Sequence, residues 1–404
     1  MTEGVALAHD YATQRGGAER VALWLAEAFP GSPMYTTLYD HEGTFPEFSR
    51  LDLRTSPLDR VGALRRHHRL ALPLLAPAVS AQRVEADVLL ASSTGWAHGY
   101  KGAGRTVVYC HAPARWLYQR DRYLGGRDGR GAADRVRGGI ASAALATLSP
   151  ALRGWDRRAA ERADVYLANS TVTQRAIREA YGIEAEILPP PPAMLPAGPE
   201  QEVPGIEPGF LLCVARLLPY KNVDVLVEAA RLAGRRLVIV GDGPDRARLE
   251  GLAATGAPVS GRWGSPSGTV AARGRTTLLG RVDDPELRWL YRNCSMLVAA
   301  SYEDYGLSPL EAGAFGRPSV VLRDGGYLDT VVDGVTGTFF DAPEPRLVAR
   351  AVQDASDVPW EDDVLTAHVE TFAIPRFVAR LREVVDAQRS IVHGGTSTSG
   401  KRNP

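Results

Sequence analysis

Two glutamates lie eight positions apart in a segment with the features of an anion site. Glu303 and Glu311 enclose Gly306, which permits a sharp turn. Ser308 fits the N-cap of a helix, Pro309 its first position and Glu311 its third, which is a capping-box pattern. A helix that begins there directs unpaired amides and the positive end of its dipole at a phosphate. Taken alone, the pattern also describes a helix that Glu311 merely caps and a solvated Glu303.

A second segment supplies positive charge. Arg216 and Lys221 follow an apolar run that reads as a strand and precede a run that reads as a helix. The arginine fork and the lysine point charge both suit phosphate oxygens. Isolated basic residues at such a turn are usually solvated. This segment therefore indicates a phosphate site only in combination with the segment that contains Glu303 and Glu311.

Two segments near the N-terminus contain further candidates. Gly16 and Gly17 would let the backbone approach a phosphate closely, although their spacing is not that of a dinucleotide fingerprint and a plain turn remains an alternative. His111 follows a strand whose carboxyl end would face the ligand crevice of a parallel sheet. A lone histidine of this kind is also common in cores. Trp116 and Tyr118 could form a platform for a sugar or equally pack the domain.

The elements that must position these residues alternate between strands and helices, which indicates α/β domains with parallel sheets. Prolines crowd between Leu188 and Pro199, where neither a helix nor an inner strand can continue. The expected division is a first Rossmann-like domain, a linker, a second Rossmann-like domain, a helix that packs back on the first domain, and a disordered tail, over residues 1–192, 193–204, 205–372, 373–392 and 393–404 respectively. Residues 256–274 read as a surface insertion.

The acidic segment resembles glycosyltransferase family 4. The two glutamates, followed by Ala312, Gly313, Ala314, Gly316 and Pro318, are similar to its motif. The N-terminal run from Asp10 to Gly17, with Arg54-Thr55-Ser56 ahead of the basic cluster 65–69, is similar to the branch of O-antigen and exopolysaccharide-type mannosyltransferases. The resemblance implies the GT-B fold, with two facing Rossmann-like domains, the first for the acceptor and the second for the nucleotide sugar, and an interdomain cleft. It also implies a retaining transferase that moves a hexose, mannose from GDP-mannose being favoured, to a saccharide or lipid-linked saccharide.

The resemblance also implies a role for each candidate residue. Glu303 and His111 would be catalytic. The donor diphosphate and sugar would contact Gly16, Gly17, Arg216, Lys221, Tyr305, Gly306, Leu307 and Ser308. The donor ribose and base would contact Glu311 and Val282, and the acceptor Asp10, Tyr11, Trp116 and Tyr118. The loop from Asp324 to Asp329 resembles one that follows the acidic motif in the family, but its role is left open.

Composition excludes several other classes. Lysine plus arginine equals aspartate plus glutamate, which gives no support for nucleic-acid binding. Three scattered cysteines predict neither a disulfide framework nor a zinc site, and the chain contains no Asp-x-Asp pair to clamp a metal, so we expect neither metal nor cofactor. No apolar run approaches the roughly 20 residues of a membrane span. We expect a cytoplasmic protein, with peripheral contact at the inner face of the membrane through the basic stretches 65–69 and 115–137.

Three alternatives remain open on the sequence. A nicotinamide-dependent oxidoreductase shares the strand and helix rhythm, but the chain has no compact Gly-x-Gly-x-x-Gly after a strand. A non-catalytic relative would not need the two glutamates with their basic partners. A transferase that uses another nucleotide sugar on a soluble small molecule would keep all of these residues.

Overall fold

The computed structural model of the protein describes residues 4–66, 71–119, 148–255 and 276–395. The chain divides into two compact units. Unit 1 consists of Met1–Pro190 and Ile374–Pro404, and unit 2 consists of Pro191–Ala373. Unit 2 is therefore an insertion between two segments of unit 1.

Unit 1 contains a parallel sheet with the strand order β3-β2-β1-β4-β5-β6-β7. Its strands are β1 (Val5–His9), β2 (Met34–Thr36), β3 (Leu53–Thr55), β4 (Val88–Ser93), β5 (Arg105–Cys110), β6 (Val165–Ala168) and β7 (Glu186–Ile187). The helices described before unit 2 begins are α1 (Gly17–Ala28), α2 (Gly62–Arg66), α3 (Leu72–Ala81), α4 (Arg115–Tyr118), α5 (148–160) and α6 (Thr171–Tyr181). Strands β1 and β4 are buried throughout, as their apolar sequences require of inner parallel strands.

Unit 2 contains a parallel sheet with the strand order β10-β9-β8-β11-β12-β13. Its strands are β8 (Phe210–Val214), β9 (Leu237–Val240), β10 (Thr276–Gly280), β11 (Cys294–Ala299), β12 (Ser319–Leu322) and β13 (Gly337–Phe340). Its described helices are α7 (Val223–Leu232), α8 (Arg246–Thr255), α9 (Asp284–Asn293), α10 (Leu307–Ala314), α11 (Tyr327–Thr330), α12 (Pro345–Ser356) and α13 (Asp362–Glu370). The chain thus has two parallel α/β domains, as predicted from its alternating pattern.

Each sheet reverses its strand order once. The reversal falls between β1 and β4 in unit 1 and between β8 and β11 in unit 2. In doubly wound sheets, ligands bind outside the carboxyl ends of the strands at this switch point. The residues that follow these four strands are therefore the first place to look for a functional site.

The last helix, α14 (Ile374–Gly395), belongs to unit 1. It packs on α1, β4 and β5. Phe377 is buried between the rings of Trp24 and Tyr109, and Arg105 donates two hydrogen bonds to Gln388. The helix therefore completes the core of unit 1.

Two expectations about irregular segments are corrected. Residues 393–395, which we expected to be part of a disordered tail, are the last turn of α14. In the predicted linker 193–204, Met194 and Val203 are buried in a core cluster of unit 2, because an apolar side chain gains more by packing there than by remaining in solvent. The predicted surface insertion 256–274 lies outside the described residues.

Candidate functional site

An ion pair joins the two loops at the switch point of unit 2. Lys221, in the loop after β8, donates a short hydrogen bond to Oε1 of Glu303, in the loop after β11. The two side chains are 12% and 24% exposed. Their charges are therefore partly desolvated, and either one would be costly to leave in this place without the other. The structure brings together the predicted phosphate ligand and the predicted catalytic glutamate.

Asn222 fixes the position of Lys221. It has a left-handed backbone with φ of 51°, which asparagine tolerates better than most residues. Its side-chain amide donates to the carbonyl oxygen of Ala300 at 2.8 Å. The loop after β8 is thereby tied to the end of β11, one residue before Ser301. Asn222 was not predicted as a site residue. Its sequence signal is an asparagine directly before a helix.

Ser301 and Tyr327 hold the glutamate from the other side. The Ser301 hydroxyl donates to the same Oε1 of Glu303, and the Tyr327 hydroxyl lies 3.3 Å from the Ser301 oxygen. Tyr327 is fully buried, and its burial, followed by the charge of Glu303, raises the pKa of the phenol well above its usual value. The phenol is therefore protonated and able to donate. Neither residue was singled out from the sequence.

The loop 324–329, whose role the sequence left open, contacts the loop that carries Glu303. The Gly326 amide donates to the carbonyl oxygen of Glu303 at 2.8 Å. A Cβ on Gly325 would lie 2.4 Å from the same carbonyl oxygen, and one on Gly326 would lie 2.3 Å from Tyr305 backbone atoms. Only glycine permits this close approach of the two loops. The two glycines thus set the path of the loop that carries Glu303.

The start of α10 differs from the predicted capping box. The N-cap is Gly306, with φ of 84°, and no side chain caps the helix. Ser308 is the second helical residue rather than the N-cap. The earlier start follows from Gly306, which adopts the left-handed conformation that a residue with a side chain would resist. The amides of Leu307 and Ser308 occupy the first turn, where an α-helix offers them no backbone acceptor.

Glu311 is the fifth residue of α10 rather than its third. It is buried, and its Oε2 accepts a hydrogen bond of 2.6 Å from the hydroxyl of Tyr291 in α9. The ring of Tyr291 is stacked on Phe315. One carboxylate oxygen is therefore held by the protein in a defined orientation, as a ligand for a diol requires.

The remaining predicted ligands of unit 2 lie near the strand ends. Arg216 is exposed two residues after β8, and Val282 is half-buried against the core two residues after β10. Tyr305 is buried in a small cluster with Leu310 and Val369. Tyr305 can therefore offer a ligand its backbone but little of its ring.

At the switch point of unit 1, Asp10 organises a loop. Its carboxylate accepts hydrogen bonds from the amide and hydroxyl of Thr94 and from the amides of Trp96 and Ala97, the latter at 2.6 Å. The aspartate is 2% exposed. These contacts favour a structural role over the predicted contact with an acceptor, because its oxygens already satisfy several buried donors.

His111 forms part of a buried polar chain at the same edge. Its Nε2 lies 2.8 Å from the Ser92 hydroxyl, and that hydroxyl lies 3.0 Å from Nδ1 of His9. Burial lowers the pKa of His111 to about 3, with smaller contributions from His9 and Arg115. His111 is therefore neutral at physiological pH. Ser92 and His9 were not predicted as site residues.

The other predicted residues of unit 1 are dispersed over several elements. Gly16 is the N-cap of α1 and Gly17 its first residue, and neither has a positive φ. Tyr11 is half-buried against the core. The Tyr118 hydroxyl donates to Asp156 at 2.8 Å, so this side chain has an internal partner. Trp116 lies in α4, but its side chain is not among the described features.

The part of the chain that the structure describes also bears on metals, disulfides and membrane spans. Within it, no group of three or more histidine, cysteine, aspartate or glutamate side chains is arranged to hold a metal ion. Cys110, Cys213 and Cys294 are buried free thiols, as expected. Among the same residues, no helix combines the length and the hydropathy needed to cross a bilayer. Most of the basic stretches 65–69 and 115–137 lies outside the described ranges.

Comparison with known sequences finds similarity to residues of unit 2. Residues 208–357 match the family described as Glycosyl transferases group 1. Glycogen synthase of Pseudomonas aeruginosa is 33% identical over 186 residues, which are 43% of this chain and 33% of that protein. The alpha-1,3/1,6-mannosyltransferase of Dictyostelium discoideum is 39% identical over 64 residues, 16% of this chain and 15% of that protein. The matched part of the chain spans about a third of the length of the first of these relatives.

Comparison with solved structures gives the fold of the whole chain. HepE of Anabaena, in complex with UDP and glucose, has a TM-score of 0.64 and 16% identity, with 95% of this chain and 99% of that chain covered. The two parallel α/β domains are therefore those of a GT-B protein, and the fold prediction is confirmed. The segment that contains Arg216, Lys221, Glu303 and Glu311 is the one that matches the transferase family.

The neutral state of His111 predicts a pH dependence of stability. The pKa is lowered from 6.5 to about 3 in the folded protein, so below pH 6.5 the unfolded chain binds a proton that the native state does not. Stability therefore falls as the pH drops from 6.5 towards about 5, by up to about 1.4 kcal/mol per pH unit from this group. The free energy of unfolding, measured by urea denaturation at several pH values in this range, should depend less steeply on pH in His111→Gln than in the unsubstituted protein.

His41→Gln is the matched control for that measurement. The side chain of His41 is 75% exposed, so its removal should leave the slope unchanged. Equal slopes for His111→Gln and the unsubstituted protein would contradict the neutral, buried state of His111.

Proposed function

We propose that the protein is a retaining glycosyltransferase that uses a nucleoside diphosphate sugar and needs no metal ion for the chemical step. The observation that carries this proposal is the contact between Lys221 and Glu303 at the switch point of unit 2, close to the first turn of α10. One set of hydrogen bonds there holds Lys221, which can bind a phosphate, and Glu303, which can bind sugar hydroxyls. The family match over residues 208–357 supports the same class.

Stabilisation of the leaving group is assigned to unit 2. As the bond between the sugar and the phosphate breaks, negative charge develops on the nucleoside diphosphate. Arg216 and Lys221 would bind its oxygens, and the amides of Leu307 and Ser308 at the start of α10 would donate to them. These groups replace the charge that a metal ion supplies in other transferases. The absence of an Asp-x-Asp pair from the sequence supports this assignment.

Recognition of the donor is assigned to three further residues. Glu303 would accept hydrogen bonds from sugar hydroxyls near the reacting carbon, and Glu311 from the ribose diol. The backbone around Val282 would contact the base. The orientation that Tyr291 imposes on Glu311 supports this role, because a diol is bound well only by an acceptor of fixed geometry.

The proposed reaction retains the anomeric configuration through front-face attack. The bond between the anomeric carbon and the phosphate oxygen breaks, and the acceptor oxygen bonds to the same face. The acceptor proton passes to the departing phosphate, so the electron pair and the charge both leave with the diphosphate. Glu303 and His111 would position and polarise the sugar.

The proposed donor is GDP-mannose and the proposed acceptor a saccharide, free or linked to a lipid. The N-terminal resemblance to O-antigen-type mannosyltransferases and the short match to a mannosyltransferase support mannose. The competing donor is UDP-glucose, because HepE was solved with UDP and glucose. For a lipid-linked acceptor we propose peripheral contact with anionic lipid through the basic stretches, of which Arg66 is an exposed member.

Thermal-shift measurements with a panel of nucleotides test the class and the donor together. A ligand that binds only the native state raises the melting temperature, so GDP-mannose should give the largest rise among GDP-mannose, UDP-glucose and NAD. A larger rise with UDP-glucose would replace the donor and leave the class intact. A rise with NAD alone would contradict the transferase assignment in favour of an oxidoreductase.

Substitution of the catalytic glutamate gives a second prediction. Glu303→Ala removes the acceptor for the sugar hydroxyls and the partner of Lys221, so turnover should fall by at least about a hundredfold. Steady-state transfer of labelled sugar measures this. Glu250→Ala is the control, because Glu250 is an exposed carboxylate in α8 that pairs with the surface residue Arg246. Turnover of Glu303→Ala within a few-fold of that control would refute the assignment.

Independence from metal gives a third prediction. Transfer rates measured after treatment with EDTA should stay within about twofold of the untreated rate, because protein groups alone neutralise the leaving diphosphate. Restoration of a lost activity by manganese or magnesium would contradict this part of the proposal.

A further inference from the structure

One hydroxyl in unit 1 serves two buried imidazoles. The Ser92 oxygen lies 3.0 Å from Nδ1 of His9 and 2.8 Å from Nε2 of His111. Ser92 is fully buried, and the two histidines are 2% and 6% exposed. A serine hydroxyl has one hydrogen to donate and lone pairs to accept. If the hydroxyl accepted from both rings, its own hydrogen would be buried with no other acceptor among the described residues, which is costly. It therefore donates to one histidine and accepts from the other, and the direction of this chain decides which nitrogen of His111 carries its proton.

The second nitrogen of His9 distinguishes the two directions. Its Nε2 is buried and has no hydrogen-bond partner among the described residues. If Ser92 donated to His9, the proton of neutral His9 would be on Nε2, and a buried N–H would lack an acceptor, at a cost of about 1–3 kcal/mol. If His9 donates through Nδ1, only a lone pair on Nε2 is unpaired, and under-satisfied acceptors are less rare than orphaned donors.

The direction from His9 through Ser92 to His111 is the same if His9 is protonated. A protonated imidazole donates from both nitrogens, so Nδ1 would still donate to Ser92. His111 itself cannot reverse the chain by binding a second proton, because burial keeps it neutral. In each case Nε2 of His111 accepts the hydrogen of Ser92, and the remaining proton of His111 is on Nδ1.

The backbone of His111 is fixed independently of its ring. Its amide donates to the Ser93 carbonyl at 2.9 Å, and its own carbonyl accepts from the side chains of Asn169 and Thr173. The ring also meets the ring of Tyr109 edge-on. Among the described residues, no hydrogen bond is made to Nδ1 of His111. That nitrogen is the polar atom of the side chain left for a ligand.

We propose that His9 and Ser92 are positioning residues that hold His111 as the Nδ1–H tautomer, so that it offers an oxygen of the ligand a neutral hydrogen-bond donor. The nature of that oxygen, a hydroxyl of the donor sugar, rests on the proposed function. This tautomer limits the role that His111 can have in the reaction. His111 has one nitrogen occupied by Ser92 and the other protonated, so it is not the base that deprotonates the acceptor. The departing phosphate remains for that role.

Nuclear magnetic resonance of the intact protein with ¹⁵N-labelled histidine tests the tautomer without any substrate. Two-bond correlations between ring protons and nitrogens distinguish a protonated from an unprotonated nitrogen, and loss of one ring's signals in His111→Gln assigns them. We expect Nδ1 of His111 to be protonated and Nε2 unprotonated at neutral pH. A protonated Nε2 in the unsubstituted protein would overturn the proposal.

Three variants separate the positioning role from a structural one. Ser92→Ala should allow the Nε2–H tautomer to appear, whereas His9→Asn, which keeps an amide donor near the position of Nδ1, should preserve Nδ1–H. Ser93→Ala is the matched control, because this neighbouring buried hydroxyl contacts His98 at 3.0 Å instead of His111. An unchanged tautomer in Ser92→Ala, or the same change in Ser93→Ala, would overturn the role of Ser92.

Transfer kinetics test the consequence for the ligand. Ser92→Ala should lower kcat on the order of tenfold, an effect typical of residues that orient a functional histidine, and His9→Asn should restore most of the rate relative to His9→Ala. Equal rates for Ser92→Ala and the unsubstituted protein would overturn the ligand role of Nδ1–H. If the unsubstituted protein transfers no sugar at all, the proposed function fails while the tautomer result stands by itself.

Discussion

The ion pair between Lys221 and Glu303 is the interaction on which the organisation of unit 2 depends. Two opposite charges that are mostly removed from water must either stay together or find other partners. The tie from Asn222 to Ala300, the hydroxyl of Ser301 and the phenol of Tyr327 all act to keep these two side chains in one place. A dianionic ligand would compete with the carboxylate of Glu303 for Lys221. Both side chains would then be available to bind the ligand.

Unit 1 has a different electrostatic character at the corresponding edge of its sheet. There the carboxylate of Asp10 is occupied by amides and a hydroxyl of the loop after β4. His111 stays uncharged because it is buried. In the proposed reaction, unit 2 would provide the charge that stabilises a leaving anion and unit 1 would provide directional hydrogen bonds without charge.

The sequence was sufficient for features that depend on local pattern. The strand before His111 and the helix after Lys221 are present as β5 (Arg105–Cys110) and α7 (Val223–Leu232), because burial of a whole face leaves a clear periodicity. Strands β2, β3, β7 and β13 were not predicted, and the first three have only two or three residues, which are too few to carry any period. The capping box was wrong because Gly306 adopts a left-handed conformation and becomes the N-cap of α10. The ring of Tyr327 occupies the space that a side chain would need at this position, and that contact is not visible in the local sequence. Ser92 and Tyr327 carried no signal because their partners are distant in sequence, and Ser301, although close to Glu303, meets Tyr327 only through the fold.

The place of α14 in unit 1 has a consequence for how the protein is made. The core that receives Phe377 is built from residues that leave the ribosome early, whereas the helix that fills it is synthesised after the whole of unit 2. Unit 2 can reach its native state during translation, as domains commonly do. Unit 1 must wait with an apolar surface exposed until the last helix emerges. The unit that contains β1 is therefore the later of the two to be completed.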